Sequence, residues 1–308
     1  MTPVVPSGKG YTAAVVTFRR PDSLAAVLES LRAQSAAPGL TVVADNDPVE
    51  SGRPVVDRAR ADWLGELLYV PVGENLGPAG GWARAVDVAA RRQGRGDWVL
   101  VLDDDDPLQS PRVVEALLAQ GYRFPATVAA IGLRGARWHG ARHRLVRADP
   151  PEGATAPVDY LAGNGAPLYS WQALDSVGFF EPLLFFGFED LDLGFRLRRD
   201  GWDLLVAPHP SLHIVPDTSG HRSEWREYYK TRALMHILRR HRGPVSVIVT
   251  SLRSVVMGGL RLAVVDQRPP LARARLSGAW DGYRGRLGVR RYSPETNPPK
   301  SALREAHR

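Results

Sequence analysis

Through the first 135 residues, short apolar runs alternate with segments whose apolar positions recur every three or four residues. Residues 11–17 (YTAAVVT) read as a strand, and Pro21-Asp22 opens a helix that puts Leu24, Val27, Leu28 and Leu31 on one buried face. Residues 40–44 read as a second strand ending on Asp45-Asn46-Asp47. Residues 67–72 form a third, leading into Glu74-Asn75-Leu76-Gly77-Pro78-Ala79-Gly80-Gly81 and a helix over 82–92. The fourth strand, 98–102, runs into Asp103-Asp104-Asp105-Asp106-Pro107. Ser110-Pro111 then offers an N-cap hydroxyl and a first-turn proline for a helix over 112–120. Strands alternating with helices imply a parallel sheet, in which polar ligands gather beyond the carboxyl ends of the strands. The polar clusters at 45–47, 74–81 and 103–106 therefore share one rim.

The second half is less regular. Its pattern predicts a strand over 158–162, a Gly163-Asn164-Gly165 loop and a helix over 170–177. A further helix starts at Glu189-Asp190, after the aromatic turn Phe185-Phe186-Gly187-Phe188, and closes at Asp200-Gly201. Strands over 203–206 and 212–215 precede a long helix over 224–241. Residues 245–265 carry an apolar stripe (Val245, Ile248, Leu252, Val256, Leu260) interrupted by Arg253 and Arg261, the pattern of an interfacial or packing helix. Residues 266–308, rich in Arg, Pro and Gly, read as loosely ordered.

The length of 308 residues suits one large α/β domain with an appendage. With no cysteine, disulfides and Cys-ligated zinc are excluded, and any metal site must use oxygen and imidazole ligands. Residues 1–10 hold no apolar core, and no uncharged apolar stretch reaches roughly 18–20 residues, so neither secretion nor a membrane span is expected. A cytoplasmic location fits. The net charge of +7 is unevenly divided: residues 221–308 hold 19 Lys/Arg against 6 Asp/Glu, and residues 1–220 hold 21 against 27. A solvated Arg-rich surface accounts for the basic tail as well as attraction to a phospholipid surface or lipid-phosphate acceptor does. The tail lacks recognised nucleic-acid motifs, so nucleic acid is not an expected partner.

The acidic run is the sharpest chemical signal. Four carboxylates at one strand end repel one another unless a cation compensates, and a diphosphate leaving group needs the same cation. Hard oxygen donors favour Mg²⁺ or Mn²⁺. Strand residues i and i+2 share a face, which favours Asp103 and Asp105 as the metal pair, with Asp104 or Asp106 able to replace one of them. An EF-hand is excluded, because proline occupies a ligand position and the loop glycine is missing. Glu189-Asp190 is the second signal: one of the pair can serve as a base whose pKa is raised by Phe185, Phe186 and Phe188, whereas Asp192 is explained by the helix dipole. Residues 75–81 have neither the GxGxxG spacing nor a Gly-Lys-Ser/Thr, so dinucleotide-dehydrogenase and P-loop readings fail. A lone histidine such as His213 is more often structural or on the surface than a ligand.

Taken in order, Val15-Val16-Thr17-Phe18-Arg19-Arg20-Pro21, Ala44-Asp45-Asn46-Asp47, Glu74-Asn75-Leu76-Gly77, residues 102–105, and Phe188-Glu189-Asp190-Leu191-Asp192-Leu193 with Arg196 and Gly201 resemble family 2 glycosyltransferases. The chain looks like the rhamnosyltransferase and galactofuranosyltransferase branch, and its first 120 residues resemble the initiating galactofuranosyltransferases of actinobacterial cell walls. The acidic motif has four aspartates where three are usual, and Glu189-Asp190-Leu191-Asp192 fits the rhamnosyl pattern better than the galactofuranosyl one.

The resemblance implies a GT-A fold: a Rossmann-like, mostly parallel central sheet flanked by helices, here with a helical C-terminal extension. It implies a catalytic domain over 1–220, nucleotide-sugar-binding in 1–135 and acceptor-binding in 136–220, with a basic extension over 221–308. Thr17, Arg20, Asp45, Asn75 and Asp104 would contact the nucleotide sugar. Asp103, Asp105 and His213 would hold Mn²⁺ or Mg²⁺, and Asp190 would be the general base. Gly163, Asn164, Trp171 and Glu189 would meet the acceptor. The implied activity is an inverting, metal-dependent transfer from a UDP- or dTDP-sugar to a glycan, lipid-linked or small-molecule hydroxyl. The basic extension would give peripheral contact with the inner face of the cell membrane. The rivals are a non-catalytic nucleotide- or glycan-binding protein of this fold and a sugar-nucleotide pyrophosphorylase. The latter expects a Gly-rich, Lys/Arg-bearing loop where Phe18-Arg19-Arg20-Pro21-Asp22 stands.

Overall fold

The computed structural model describes residues 10–92, 94–124, 126–148, 150, 153–208, 222–290 and 292. His213 and the strand expected over 212–215 lie outside the described residues. The chain divides into two compact units, Met1–Thr218 and Ser219–Arg308.

The first unit is built on an eight-stranded sheet of order β3-β2-β1-β4-β10-β5-β11-β8. Its first half comprises β1 (Tyr11–Thr17), β2 (Leu40–Asp45), β3 (Glu66–Pro71) and β4 (Trp98–Asp103), all parallel. β5 (Val128–Gly132) and β11 (Asp203–Val206) are parallel to each other, while β10 (Leu168–Ser170) runs antiparallel to both β4 and β5. The edge strand β8 (Ala156–Val158) is antiparallel to β11. The sheet is thus mostly parallel, as the alternation of strands and helices predicts. A small second sheet joins β7 (Arg144–Arg147), β6 (Gly135–His139) and β9 (Tyr160–Leu161).

Every residue of β1 is buried, because helices cover both faces of the sheet. Period-2 alternation sends Tyr11, Ala13 and Val15 into one core, with α1 (Pro21–Arg32), α2 (Arg53–Ala59) and α4 (Val113–Arg123). Ala14 and Val16 enter the other, with α3 (Gly77–Ala90), α5 (Trp171–Val177) and α6 (Glu189–Arg199). Three local readings are refined. Helix α3 begins five residues before the expected 82, because Pro78 presets the helical φ in its first turn. The run 158–162 is two strands in two sheets, and between them Asp159 Oδ2 accepts the Trp138 N–H at 2.7 Å. The short α2 escapes a periodicity reading, since it buries only Val56.

In the second unit, part of the stretch 266–308 read as loosely ordered is helical, over Pro269–Tyr283. After α7 (Glu224–His241), a continuous helix α8 (Gly243–Val265) contains two π-helical stretches, and α9 (Pro269–Tyr283) packs on α7. A polar sequence makes a packed helix here because small residues and arginines replace the apolar stripe. A Cβ on Gly278 would lie 2.3 Å from the Tyr228 carbonyl oxygen, and one on Gly282 only 2.1 Å from that of Arg232. Tyr228 Oη donates to Asp281 Oδ2 at 2.6 Å, and Arg275 reaches Glu227 Oε2 through Nε (3.0 Å) and Nη2 (2.7 Å). Arg232, fully buried, stacks 4.5 Å from the Tyr229 ring centroid and donates to the Gly288 carbonyl. By length and composition alone the 23 residues of α8 could cross a membrane, but Arg253 and Arg261 interrupt them, so no uncharged apolar stretch reaches roughly 18–20 residues.

Gly282→Val should lower the stability of the second unit by at least the ~1–3 kcal/mol typical of overpacking. Urea unfolding followed by proteolysis after residue 218 checks this; an unchanged midpoint would contradict the close α7–α9 approach.

Candidate active site

The carboxyl ends of β1 and β4 are neighbours, with Val16 opposite Asp103. This register presents the first residues after β1 to the acidic run. Thr17 Oγ1 donates to Asp104 Oδ2 at 2.9 Å and the Phe18 N–H to the same oxygen at 3.1 Å. Arg20 Nη1 donates to Asp104 Oδ1 at 3.0 Å and to Asp105 Oδ2 at 2.7 Å. Asp104 is therefore the carboxylate turned onto β1, 5% exposed, whereas the Asp105 side chain is 43% exposed.

Asp103 meets negative charge. Burial, then Asp105, Asp104, Glu189 and Asp106, push its carboxyl well above the usual range. The influence of Glu189 brings the N-terminus of α6 to the same rim. Asp190, half-buried, accepts the Gly163 N–H at Oδ2 (3.1 Å) and the Leu191 N–H at Oδ1 (2.9 Å). Burial and the Glu189 carboxylate push Asp190 well up, against those two N–H groups. A proton acceptor of raised affinity thus stands beside a strand-end acidic pair.

Two links missed by sequence reasoning hold these pieces together. Trp82, 2% exposed, donates Nε1–H to the Leu102 carbonyl at 3.1 Å, and its ring lies where a Cβ on Gly163 would be at 2.8 Å. One indole therefore ties the strand before Asp103 to the loop that binds Asp190. Gly77, at φ +68°, sits so close to the loop before α6 that a Cβ would come within 2.0 Å of the Phe185 carbonyl oxygen. The Ala79 N–H donates to that oxygen at 3.3 Å. In the same loop Phe185, Gly187 and Phe188 have φ of 68°, 85° and 64°. For the two phenylalanines this costs on the order of 1–2 kcal/mol each, strain of the kind that persists at functional sites. The readable signal was the Phe-Phe-Gly-Phe turn; the lock with Gly77 has no local signature.

Other expected residues take different places. Asn75 is at the rim, where its Oδ1 accepts the Gly77 N–H at 3.0 Å. Asp45 is fully buried: Oδ1 accepts the Asp47 N–H (2.9 Å), and Oδ2 accepts the Gly52 N–H (2.8 Å) and Tyr69 Oη–H (2.8 Å). Its carboxylate shapes the loop after β2 rather than facing solvent. Gly163 and half-buried Asn164 form a single helical turn at the rim. Trp171 is not brought there. Because β10 is antiparallel, Ser170 pairs with Trp98 at the start of β4, which puts Trp171 at the opposite rim, 3% exposed, donating to the Arg95 carbonyl. Asp192 pairs with Arg196 Nε at 2.9 Å, and Arg196 also donates to the carbonyls of Val177, Gly178 and Phe179.

Asp103 and Asp105 offer hard oxygen donors in a run of four carboxylates that Arg20 only partly balances, which suits Mg²⁺ or Mn²⁺. Among the described residues, which do not include His213, no three His, Asp or Glu side chains form a metal-binding group.

Residues 7–235 match the model of the glycosyltransferase-like family 2. The galactofuranosyltransferase GlfT1 of Mycobacterium tuberculosis (strain H37Rv) is 31% identical over 211 residues, 61% of this chain and 64% of that protein. GlfT1 of Mycolicibacterium smegmatis is 28% identical over 214 residues, 61% and 65%. The chain thus matches slightly under two thirds of the length of these curated relatives. Three solved structures share the fold at low identity. A Pyrobaculum calidifontis mannosyltransferase in complex with GDP-Man and Mn²⁺ is 14% identical, with TM-score 0.51 and coverage of 91% of this chain and 89% of that one. S. aureus TarS 1–349 in complex with UDP-GlcNAc is 15% identical, with TM-score 0.55 and coverage of 86% and 79%. GalNAc-T7 with UDP, GalNAc and Mn²⁺ is 12% identical, with TM-score 0.60 and coverage of 90% and 56%. The fold is GT-A.

Asp103→Asn tests the electrostatics. The folded-state pKa of Asp103 is raised, so its ionisation costs stability; the cost is absent below the unfolded value of about 3.9 and grows as pH rises toward the folded one. Each tenfold change in proton affinity is worth about 1.4 kcal/mol. In metal-free urea unfolding the variant should be more stable than wild type at pH 8, with the gain vanishing near pH 3.5. A less stable variant at pH 8 would contradict the account.

Proposed function

The chain belongs to the glycosyltransferase-like family 2, and from that premise we propose that it transfers a sugar, with inversion, from a nucleoside-diphosphate donor to an acceptor hydroxyl. The observation that carries the reading is the convergence at one rim of Asp103 and Asp105, the Thr17–Arg20–Asp104 cluster, and Asp190. The rivals need other equipment: a pyrophosphorylase needs a glycine-rich loop after β1, and a binding module has no use for a carboxylate of raised proton affinity.

Thr17, Arg20 and Asn75 line the nucleotide side, with Asp104 fixing Arg20 and Asp45 shaping the loop behind them. Asp103 and Asp105 would hold Mn²⁺ or Mg²⁺, with His213 as a third ligand. When bound, the cation would neutralise charge on the leaving diphosphate. Asp190 accepts the proton of the incoming hydroxyl, its oxygens aimed by the Gly163 and Leu191 N–H groups. Glu189 keeps that proton affinity high, and Gly163 and Asn164 meet the acceptor. The bond from oxygen to the anomeric carbon forms as the bond to the diphosphate breaks, in one displacement. The GlfT1 relatives favour a galactofuranosyl donor carried on UDP; a dTDP-linked rhamnosyl donor fits the sequence around Glu189. The acceptor is a glycan or lipid-linked hydroxyl.

Nuclear magnetic resonance of the product tests the stereochemistry: the proposal requires inversion at the anomeric carbon, and retention contradicts it. Asp190→Asn should lower kcat by roughly 10²–10⁴ without weakening nucleotide binding; full turnover in this variant removes Asp190 from its role. Because Asp190 must be ionised and its pKa is raised, kcat should fall with decreasing pH through a value above the ordinary ~3.9 of aspartate. Glu189→Gln removes a repelling charge and should move that limb to lower pH, whereas a limb moved upward would contradict the coupling.

A further inference from the structure

Helix α8 leaves most of its apolar surface uncovered. Val245, Ile248, Leu252, Val256, Leu260 and Val264 recur every three or four residues and are 60%, 65%, 62%, 43%, 56% and 71% exposed. The other side of the helix is held by its own unit: Val247, Thr250, Val255, Gly259 and Leu262 are buried, and Arg275 Nη1 donates to the Ser254 carbonyl at 2.9 Å. Only 28% of the most apolar stretch is buried. A helix gripped along one side and bare along the other, with Arg253 and Arg261 within it, is suited to lie in a water–lipid interface rather than to cross it.

Beside the C-terminal end of this face is a cleft of about 480 Å³ lined by Arg222, Arg261, Arg268 and Arg275 with Gly258, Leu262 and Asp266. Its charge is incompletely balanced. Arg222 and Arg261 approach Asp266 only to 3.9 Å, and Arg222 approaches Glu227 to 3.9 Å, too far for hydrogen bonds. Arg275, held by Glu227, forms the fixed wall. Met257 and Leu260 before Arg261, and Val264 after it, put exposed apolar side chains within one turn of its guanidinium. Four guanidinium groups facing two carboxylates, next to an apolar strip, match a phosphate headgroup above acyl chains.

We propose that this unit docks on an anionic phospholipid bilayer, with the uncovered face of α8 at the acyl boundary and a lipid phosphate in the Arg222–Arg261–Arg268–Arg275 cleft. The occupant is the bilayer itself, chosen by the pairing of apolar face and basic cleft. Binding does not require the proposed transfer chemistry.

The test is sedimentation of the full chain with vesicles of phosphatidylcholine alone or with 30 mol% phosphatidylglycerol. Wild type should partition at least about tenfold more strongly onto the anionic vesicles, and 0.5 M NaCl should erase that preference. Arg261→Ala and Arg268→Ala, both at exposed residues, should each cost about fivefold on anionic vesicles. Leu252→Asp should weaken binding to both vesicle types. Equal binding to the two vesicle types, or no effect of either arginine change, overturns the proposal. So does vesicle binding unaffected by 10 mM inorganic phosphate at constant ionic strength while calorimetry shows phosphate bound and both arginine variants lose it, which would make the cleft a site for free phosphate. Release from cell membranes only by detergent, and not by alkaline carbonate, overturns it in favour of a spanning helix. Transfer to a water-soluble acceptor should be unchanged in all three variants; loss of transfer in wild type with vesicle binding intact would sink the catalytic reading alone.

Discussion

Mutual repulsion among carboxylates at one sheet rim is the constraint on which the catalytic unit turns. Asp103, Asp104, Asp105 and Asp106 follow one another at the end of β4, and Glu189 at the start of α6 adds to the charge that Asp103 feels. Folding tolerates this because the protein answers part of it: Arg20, Thr17 and the Phe18 N–H take Asp104, and Arg20 reaches Asp105 as well. Asp103 has no such hydrogen-bond donor among the described residues, and burial first, then the neighbouring carboxylates, raise its proton affinity. Burial, with the Glu189 carboxylate added to it, raises Asp190. One electrostatic arrangement thus favours a divalent cation at the strand end and a base at the helix start.

Such an arrangement needs a rigid frame, and the frame is aromatic and glycine-based. Trp82 bridges the Leu102 carbonyl and Gly163, and Gly77 admits the Phe185 carbonyl to the start of α3. Movement of either loop would disturb the strand-end carboxylates and the Asp190 loop together. The left-handed phenylalanines before α6 are held against their own preference by this packing.

Much of this was legible in the sequence where chemistry is local. Strands β1 to β4 and helix α1 follow from period and punctuation, and Asp103 to Asp106 and Glu189-Asp190 announce themselves by charge. What escaped depends on partners distant in sequence. Trp171 was expected at the acceptor side, but the direction of β10 is set by pairing, and antiparallel pairing sends Trp171 to the far rim. Asp45 looks like a pocket residue until the Gly52 and Tyr69 donors are seen to occupy it. Helix α9 lacks an apolar stripe because its partners are the close-packed α7 backbone and buried arginine and acidic groups. The same scarcity of apolar positions in 266–308 is what suggested a loose tail.

Calorimetric titration of UDP and dTDP, with and without Mn²⁺, into wild type and Asp105→Ala tests the central claim most directly. The account predicts that one nucleotide binds wild type much more tightly when Mn²⁺ is present, and that this dependence disappears in the variant. Nucleotide binding indifferent to metal, or metal dependence undiminished in Asp105→Ala, would contradict the assignment of the β4 carboxylates to a metal–diphosphate site.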